Sequence, residues 1–114
     1  MSRVLEAAIP VIDPYGSVFR LLRTIELPFS LFRVDEASEV GAESPFVILG
    51  SYGKPDADTV GELASRVPTV VYAVQVRAGD PAPLMRVLGY MSDRMPVGDI
   101  REMLVRALGS VTRR

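Results

Sequence analysis

Few residues of this chain could do chemistry, and their spacing limits what that chemistry could be. Asp13 closes the apolar run Ala7–Ile12. Ser51 follows a second run, Phe46–Leu49, and Lys54, the chain's one lysine beside twelve arginines, lies three residues further on. Asp and Glu side chains leave acid–base work open, and also a carboxylate-only site for Mg²⁺ or Ca²⁺. Asp13 reads either as a strand-end turn acid or as a residual ion ligand. Ser51 has no base near it in sequence, so an inert turn residue is its ordinary reading, ahead of nucleophile or kinase target. Lys54 reads as an exposed loop lysine, with an ion pair back to Asp13 as the alternative.

The missing residue types exclude more than the present ones allow. The 114 residues contain no His and no Cys. Ser-His-Asp and Cys-His catalysis, zincins, disulfide frameworks and most transition-metal sites are therefore ruled out. No cofactor is expected. Net charge is −1 and the arginines are scattered, so the chain by itself is a poor nucleic-acid binder. No apolar run approaches the roughly 20 residues of a membrane helix, and no signal-peptide pattern opens the chain, so a soluble cytoplasmic protein is expected. Glu36, Glu39 and Glu43 read as a solvated acidic face.

The elements that must position these residues alternate. Ala7–Ile12 reads as a buried strand, with Pro10 a local conflict: the strand begins after it or is bulged. Val18, Leu21, Leu22 and Ile25 form a helical stripe after Ser17, a candidate N-cap. Phe29–Val34 reads as a strand exposed on one face, and residues 35–44 hold at most one or two helical turns. Phe46–Leu49 reads as a central parallel strand. A loop over 52–58 follows, then a helix over Thr59–Val67 with Val60, Leu63, Ala64 and Val67 inward. Thr69–Val76 is a further buried strand. Leu84, Val87 and Leu88 mark a helix capped by Gly89, and Tyr90-Met91 a minimal fifth strand. The last helix spans about Val97–Leu108, carries Ile100, Leu104, Ala107 and Leu108 inward, and ends at Gly109. Five strand–helix units predict an α/β fold: a flavodoxin-like, doubly wound five-stranded parallel sheet, order 2-1-3-4-5, with the second helix shortened.

The stretch P-F-V-I-L-G-S-Y-G-K-P at 45–55 resembles the receiver domains of two-component response regulators, and the resemblance extends over nearly the whole chain. Pro45, Ser51 and Pro55 keep the family's spacing of proline, phosphoacceptor position and second proline, and Asp58 matches an acid that often opens the next helix. Residues 89–104, G-Y-M-S-D-R-M-P-V-G-D-I-R-E-M-L, are similar to the fifth strand and last helix of actinobacterial receivers that precede a LuxR-type helix-turn-helix domain. The Arg-over-Lys bias likewise suggests a GC-rich source.

A phosphorylating receiver needs an aspartate nucleophile, two further acids for Mg²⁺, a lysine and a switching hydroxyl. Matched position by position, the resemblance puts Ser51 at the nucleophile, Asp13 at one acid and Pro14 (or Ile12) at the other. Ala73 or Val74 falls at the hydroxyl and Ser92 or Asp93 at the lysine. It therefore implies a pseudo-receiver that has given up phosphorylation, with Asp13, Pro14, Ser51, Lys54, Val74 and Ser92 as a degenerate phosphoacceptor pocket. Regulation would come through a homodimer, a small uncharged ligand, or a partner protein. Leu84, Met85, Met91, Met95, Arg101, Met103, Val105 and Arg106 are the candidate dimer or partner surface, although core filling is the plainer reading of the methionines. Residues 1–109 would form the domain and 110–114 the start of a linker, in a truncated chain or a stand-alone receiver. DNA would be reached only through a C-terminal domain absent here. The alternatives are a stand-alone adaptor with a receiver fold and, further off, a small Asp-dependent hydrolase.

Overall fold

In the computed structural model, residues 7–75 and 87–112 are described. Their elements are β1 (Ala8–Ile12), α1 (Ser17–Arg23), β2 (Ser30–Val34), a 3₁₀ turn (Ala37–Glu39), β3 (Val47–Tyr52), α2 (Ala57–Arg66), β4 (Thr69–Val74), β5 (Gly89–Ser92) and α3 (Val97–Thr112). The strands form one parallel sheet in the order β2-β1-β3-β4-β5, which is the predicted order. The β-branched apolar runs bounded by Pro, Gly and Asp become strands because both of their faces are buried.

Alternation along the strands divides the core into two layers. On one face Ile9, Val11, Ile48, Val70, Tyr72 and Met91 pack against Val18 and Leu22 of α1 and against Ile100, Leu104 and Leu108 of α3. On the other, Ile12, Val34, Val47 and partly buried Leu49 meet Leu63 of α2 and Val67, which follows that helix. The second crossover contains only the 3₁₀ turn and buried Val40, which is the expected shortening.

Several expectations are corrected. Pro10 neither starts nor bulges β1: it pairs in register with Phe32. Ser30 N–H donates to Ala7 O and Asp13 N–H to Val34 O, so odd residues of β1 turn their backbone groups to β2 and Pro10 faces β3. Pairing with β3 begins only at Val11↔Ile48, so the missing donor falls where the ladder has yet to start. Ser17 is the first residue of α1 and not its cap. Gly16 is the cap, at φ 87°, a left-handed conformation that glycine adopts without steric cost. Leu21 is 37% exposed and leaves the inward stripe.

Gly89 opens β5 instead of closing a helix. A Cβ there would stand 2.7 Å from Met103 Sδ, so its bare backbone lets α3 lie close over the edge strand. Val87 and Leu88 lie outside any helix and lead into β5, with Leu88 N–H donating to Thr69 O. Leu84 and Met85 lie outside the described residues. α3 runs through Gly109 to Thr112, three residues past its expected end and into the stretch assigned to a linker.

Met91 is fully buried under α3 and cannot belong to a contact surface. Met95 and Met103 are half-buried and pack against the core, and Val105 is half-buried. Arg101 and Arg106 are exposed. Arg101 Nε donates to Glu26 O at 2.8 Å, tying α3 to the segment after α1, and Arg106 pairs with Glu102 one turn away at 3.0 Å.

Candidate functional site

The carboxyl ends of β1 and β3 deliver the residues singled out above, but strand parity separates them. Asp13 leaves β1 on the α1 side and is fully buried. Its Oδ2 accepts the Phe19 N–H at 2.9 Å, one of the donors that the first turn of α1 cannot satisfy internally. Its Oδ1 accepts the Tyr52 hydroxyl at 2.7 Å. That hydroxyl also bonds Ser17 Oγ, so one tyrosine joins β3 to the start of α1 and to the end of β1. Arg33 donates to the Asp13 carbonyl at 3.2 Å and pairs with Asp35.

Ser51 lies on the other face. Leu49, two residues earlier, packs with the α2 layer, and Ser51 lines a cavity on that side. Its Oγ donates to Gly53 O at 3.2 Å, within its own turn. The structure therefore does not bring Asp13 and Ser51 into one pocket, as the degenerate phosphoacceptor grouping assumed. β3 continues to Tyr52, and Gly53 N–H bonds Val74 O at 2.7 Å, so Ser51 is a strand residue and Tyr52 its last.

The cavity, about 350 Å³ in volume, lies between Pro14-Tyr15 and the segment Leu49–Val60. Lys54 is exposed at its rim, and among the described residues it makes no ion pair with Asp13. Tyr15 is 75% exposed and meets Tyr52 edge to face, with ring centroids 4.7 Å apart. Asp56 caps α2: its Oδ2 accepts both the N–H of Thr59, at 3.1 Å, and the Thr59 hydroxyl, at 2.5 Å. These bonds hold the Asp56 carboxyl below its ordinary value of 3.8, the Thr59 hydroxyl contributing most.

The ends of β4 and β5 form a second cluster outside that cavity. Ala73 pairs with both Ser51 and Ser92 across the sheet, and Val74 is half-buried against the core. Ser92 Oγ accepts the Arg94 N–H at 3.3 Å, as a turn residue does. Gln75 takes φ 62°, the one non-glycine residue in left-handed geometry among the described residues, and its N–H donates to Asp93 Oδ2 at 3.2 Å. Tyr72 is buried beneath this end. Burial raises its phenol above 10, and the Asp93 charge adds to the shift.

Tyr52 and Asp56 are the site residues that sequence reasoning missed. Asp56, three residues before Thr59 at a helix start, carried a readable capping signal. Tyr52 carried none, because in a Gly/Pro/Asp stretch it reads as loop. Among the described residues no group of three or more acids could hold a metal ion. No helix among them is long and apolar enough to cross a membrane.

No family model and no curated protein matches the chain. Solved structures do. The receiver domain of a putative Luxo repressor protein from Vibrio parahaemolyticus superposes with a TM-score of 0.65 at 10% identity, over 95% of this chain and 94% of that one. The receiver domain of an HD domain-containing protein from Pseudomonas fluorescens Pf-5 gives 0.69 at 15% identity, over 96% and 99%. The response regulator StyR gives 0.64 at 15% identity over 96% of this chain, which spans 62% of that longer one. The chain thus has the receiver-domain fold of response regulators, at sequence identities that speak for the fold alone.

Proposed function

We propose that this chain is a receiver-type regulatory module that works without phosphorylation, has no catalytic activity of its own, and controls a transcriptional output from the cytoplasm. Its state would be set by dimerisation, by a small ligand or by a partner protein, and DNA would be reached only through a separate C-terminal domain of LuxR type. One observation carries this reading. The chain's acid at the end of β1 has both carboxyl oxygens taken by Phe19 N–H and Tyr52 OH, while the nucleophile position is a serine bonded into its own turn on the opposite face. An acyl phosphate needs a carboxylate nucleophile beside a free acid that can share Mg²⁺, and this arrangement offers neither.

Beryllofluoride with Mg²⁺, which mimics a phosphoryl group on aspartate, tests the reading through amide NMR spectra. No saturable shifts are expected at Asp13 or Ser51, and saturable shifts centred there would overturn phosphorylation independence. Light scattering across a concentration series tests the assembly. A reversible dimer is expected, and a strictly monomeric chain at high concentration would favour the adaptor reading instead.

A further inference from the structure

We infer that the cavity between β1 and β3 binds a small planar aromatic compound of one or two rings carrying a single anionic group. The order β2-β1-β3-β4-β5 reverses direction between β1 and β3, so the segments leaving these two strands run to α1 on one face and to α2 on the other. A crevice opens where they part, and open α/β sheets take their ligands at such a point. The cavity found there, about 350 Å³, is at the small end of the range for ligand sites.

Its chemistry selects among occupants. The walls are mainly apolar and aromatic, through Pro14, Tyr15, Leu49, Tyr52 and Pro55. Tyr15 leaves three quarters of its surface in water, while its contact with Tyr52 holds the ring at the cavity edge. Such a ring gains from stacking against a second aromatic plane. Two lining residues carry charge. Asp56 is committed to Thr59, whereas Lys54 is exposed and has no ion-pair partner among the described residues. Both charges persist, but that of Asp56 sits at the N-terminus of α2, which it caps, so the charge left to meet an anionic group is that of Lys54, beside aromatic surface. Ser51 donates to Gly53 O and has lone pairs left with which to accept. A nucleotide or flavin phosphate fits poorly. The first turn of α1, where a phosphate would sit in a β1–α1 loop, is already capped by the Asp13 carboxyl.

Such binding deepens the ligand-controlled form of the regulatory reading and rests on it, with a singly anionic compound in place of the uncharged one expected from the sequence, yet the two fail separately. Beryllofluoride binding at Asp13 would overturn phosphorylation independence and leave this site untouched. The probe is 2-naphthoate, titrated into the ¹⁵N-labelled chain. Saturable amide shifts confined to residues 14–16 and 49–60 are expected, with a dissociation constant on the order of 1 mM or tighter, as suits a ligand of this size. Tyr15→Ala, at an exposed position that the fold does not need, should weaken binding about fivefold or more. Lys54→Gln should weaken it about threefold and remove the preference for 2-naphthoate over the uncharged 2-naphthamide. Shifts that do not saturate or that centre elsewhere would overturn the site. An affinity unchanged by Tyr15→Ala would overturn the aromatic contact, and equal binding of naphthoate and naphthamide to the unaltered chain would overturn the role given to Lys54.

Discussion

Along one edge of the sheet, two aspartates do the same job in opposite surroundings. At the β1–β3 end, Asp13 accepts the Phe19 N–H and the Tyr52 hydroxyl with no exposure to water. At the β4–β5 end, Asp93 is exposed and accepts the Gln75 N–H. Each carboxyl satisfies a backbone donor, but only the first does so where water cannot replace it. A buried donor that loses its partner pays full desolvation, and an exposed one turns to solvent. The first end is thus part of the folding unit, whereas the second adjusts a local turn.

Removing Asp13 should break this contrast most visibly. Asp13→Ala leaves the Phe19 N–H and the Tyr52 hydroxyl without a buried acceptor, and a destabilisation of about 3 kcal/mol is expected in urea unfolding. Tyr52→Phe keeps the ring and removes its bond to Asp13 together with the exposed bond to Ser17, so about 1.5 kcal/mol is expected. The double variant should then cost less than the sum of the singles, because Tyr52 and Asp13 share one interaction. Strict additivity would mean that the Asp13–Tyr52 bond does not hold the two strand ends together.

Changes at the other end should be smaller and should differ in sign. Asp93→Ala forfeits one exposed hydrogen bond, worth about 0.5–1 kcal/mol. Gln75→Gly relieves a left-handed φ that costs a residue with a Cβ about 1–2 kcal/mol. Glycine's greater freedom in the unfolded chain offsets about 0.5–1 kcal/mol of that gain. A net stabilisation of about 0.5 kcal/mol follows, to be read from the same urea curves. A destabilised Gln75→Gly variant would show that the glutamine side chain, and not its backbone, fixes this turn.

How far the sequence could be read follows the same division. Strands, sheet order and most core positions were legible because apolar runs flanked by Pro, Gly and Asp have few other ways to bury both faces. The shortened second crossover was legible because residues 35–44 lack an apolar stripe. Side-chain direction at the site was not legible, since it depends on where β3 stops. Gly50-Ser51-Tyr52 reads as turn, and only pairing with β4 extends the strand and turns Tyr52 toward Asp13 and Ser51 away from it. Met91 was open to two readings for a related reason: a four-residue edge strand does not announce which face a helix will cover, and its burial bears out the core reading over the contact surface. Gly16 and Ser17 were exchanged as cap because a serine before an apolar stripe carries the stronger local signal, whereas the acid that caps α1 lies outside the helix.

The smallest expected effect joins the two ends through Tyr72. Its phenol is buried in the α1–α3 layer, beneath the turn that Asp93 holds. Burial is the larger cause of its raised pKa, because the phenolate would lose hydration, and the Asp93 charge adds repulsion. A folded-state pKa above the unfolded value means that the folded chain holds this proton more tightly. The stability so contributed is complete below about pH 10, and it is lost as pH rises through the folded value. In a difference-absorbance titration of tyrosinate, Tyr72 should therefore ionise only above about pH 10, and with the loss of near-ultraviolet dichroism. Asp93→Asn removes the lesser cause and keeps a side-chain oxygen for Gln75, so it should move that last step only slightly downward. A large downward move would make Asp93, and not burial, the main control on Tyr72, and the exposed end of the sheet would then govern the core as strongly as the buried end does.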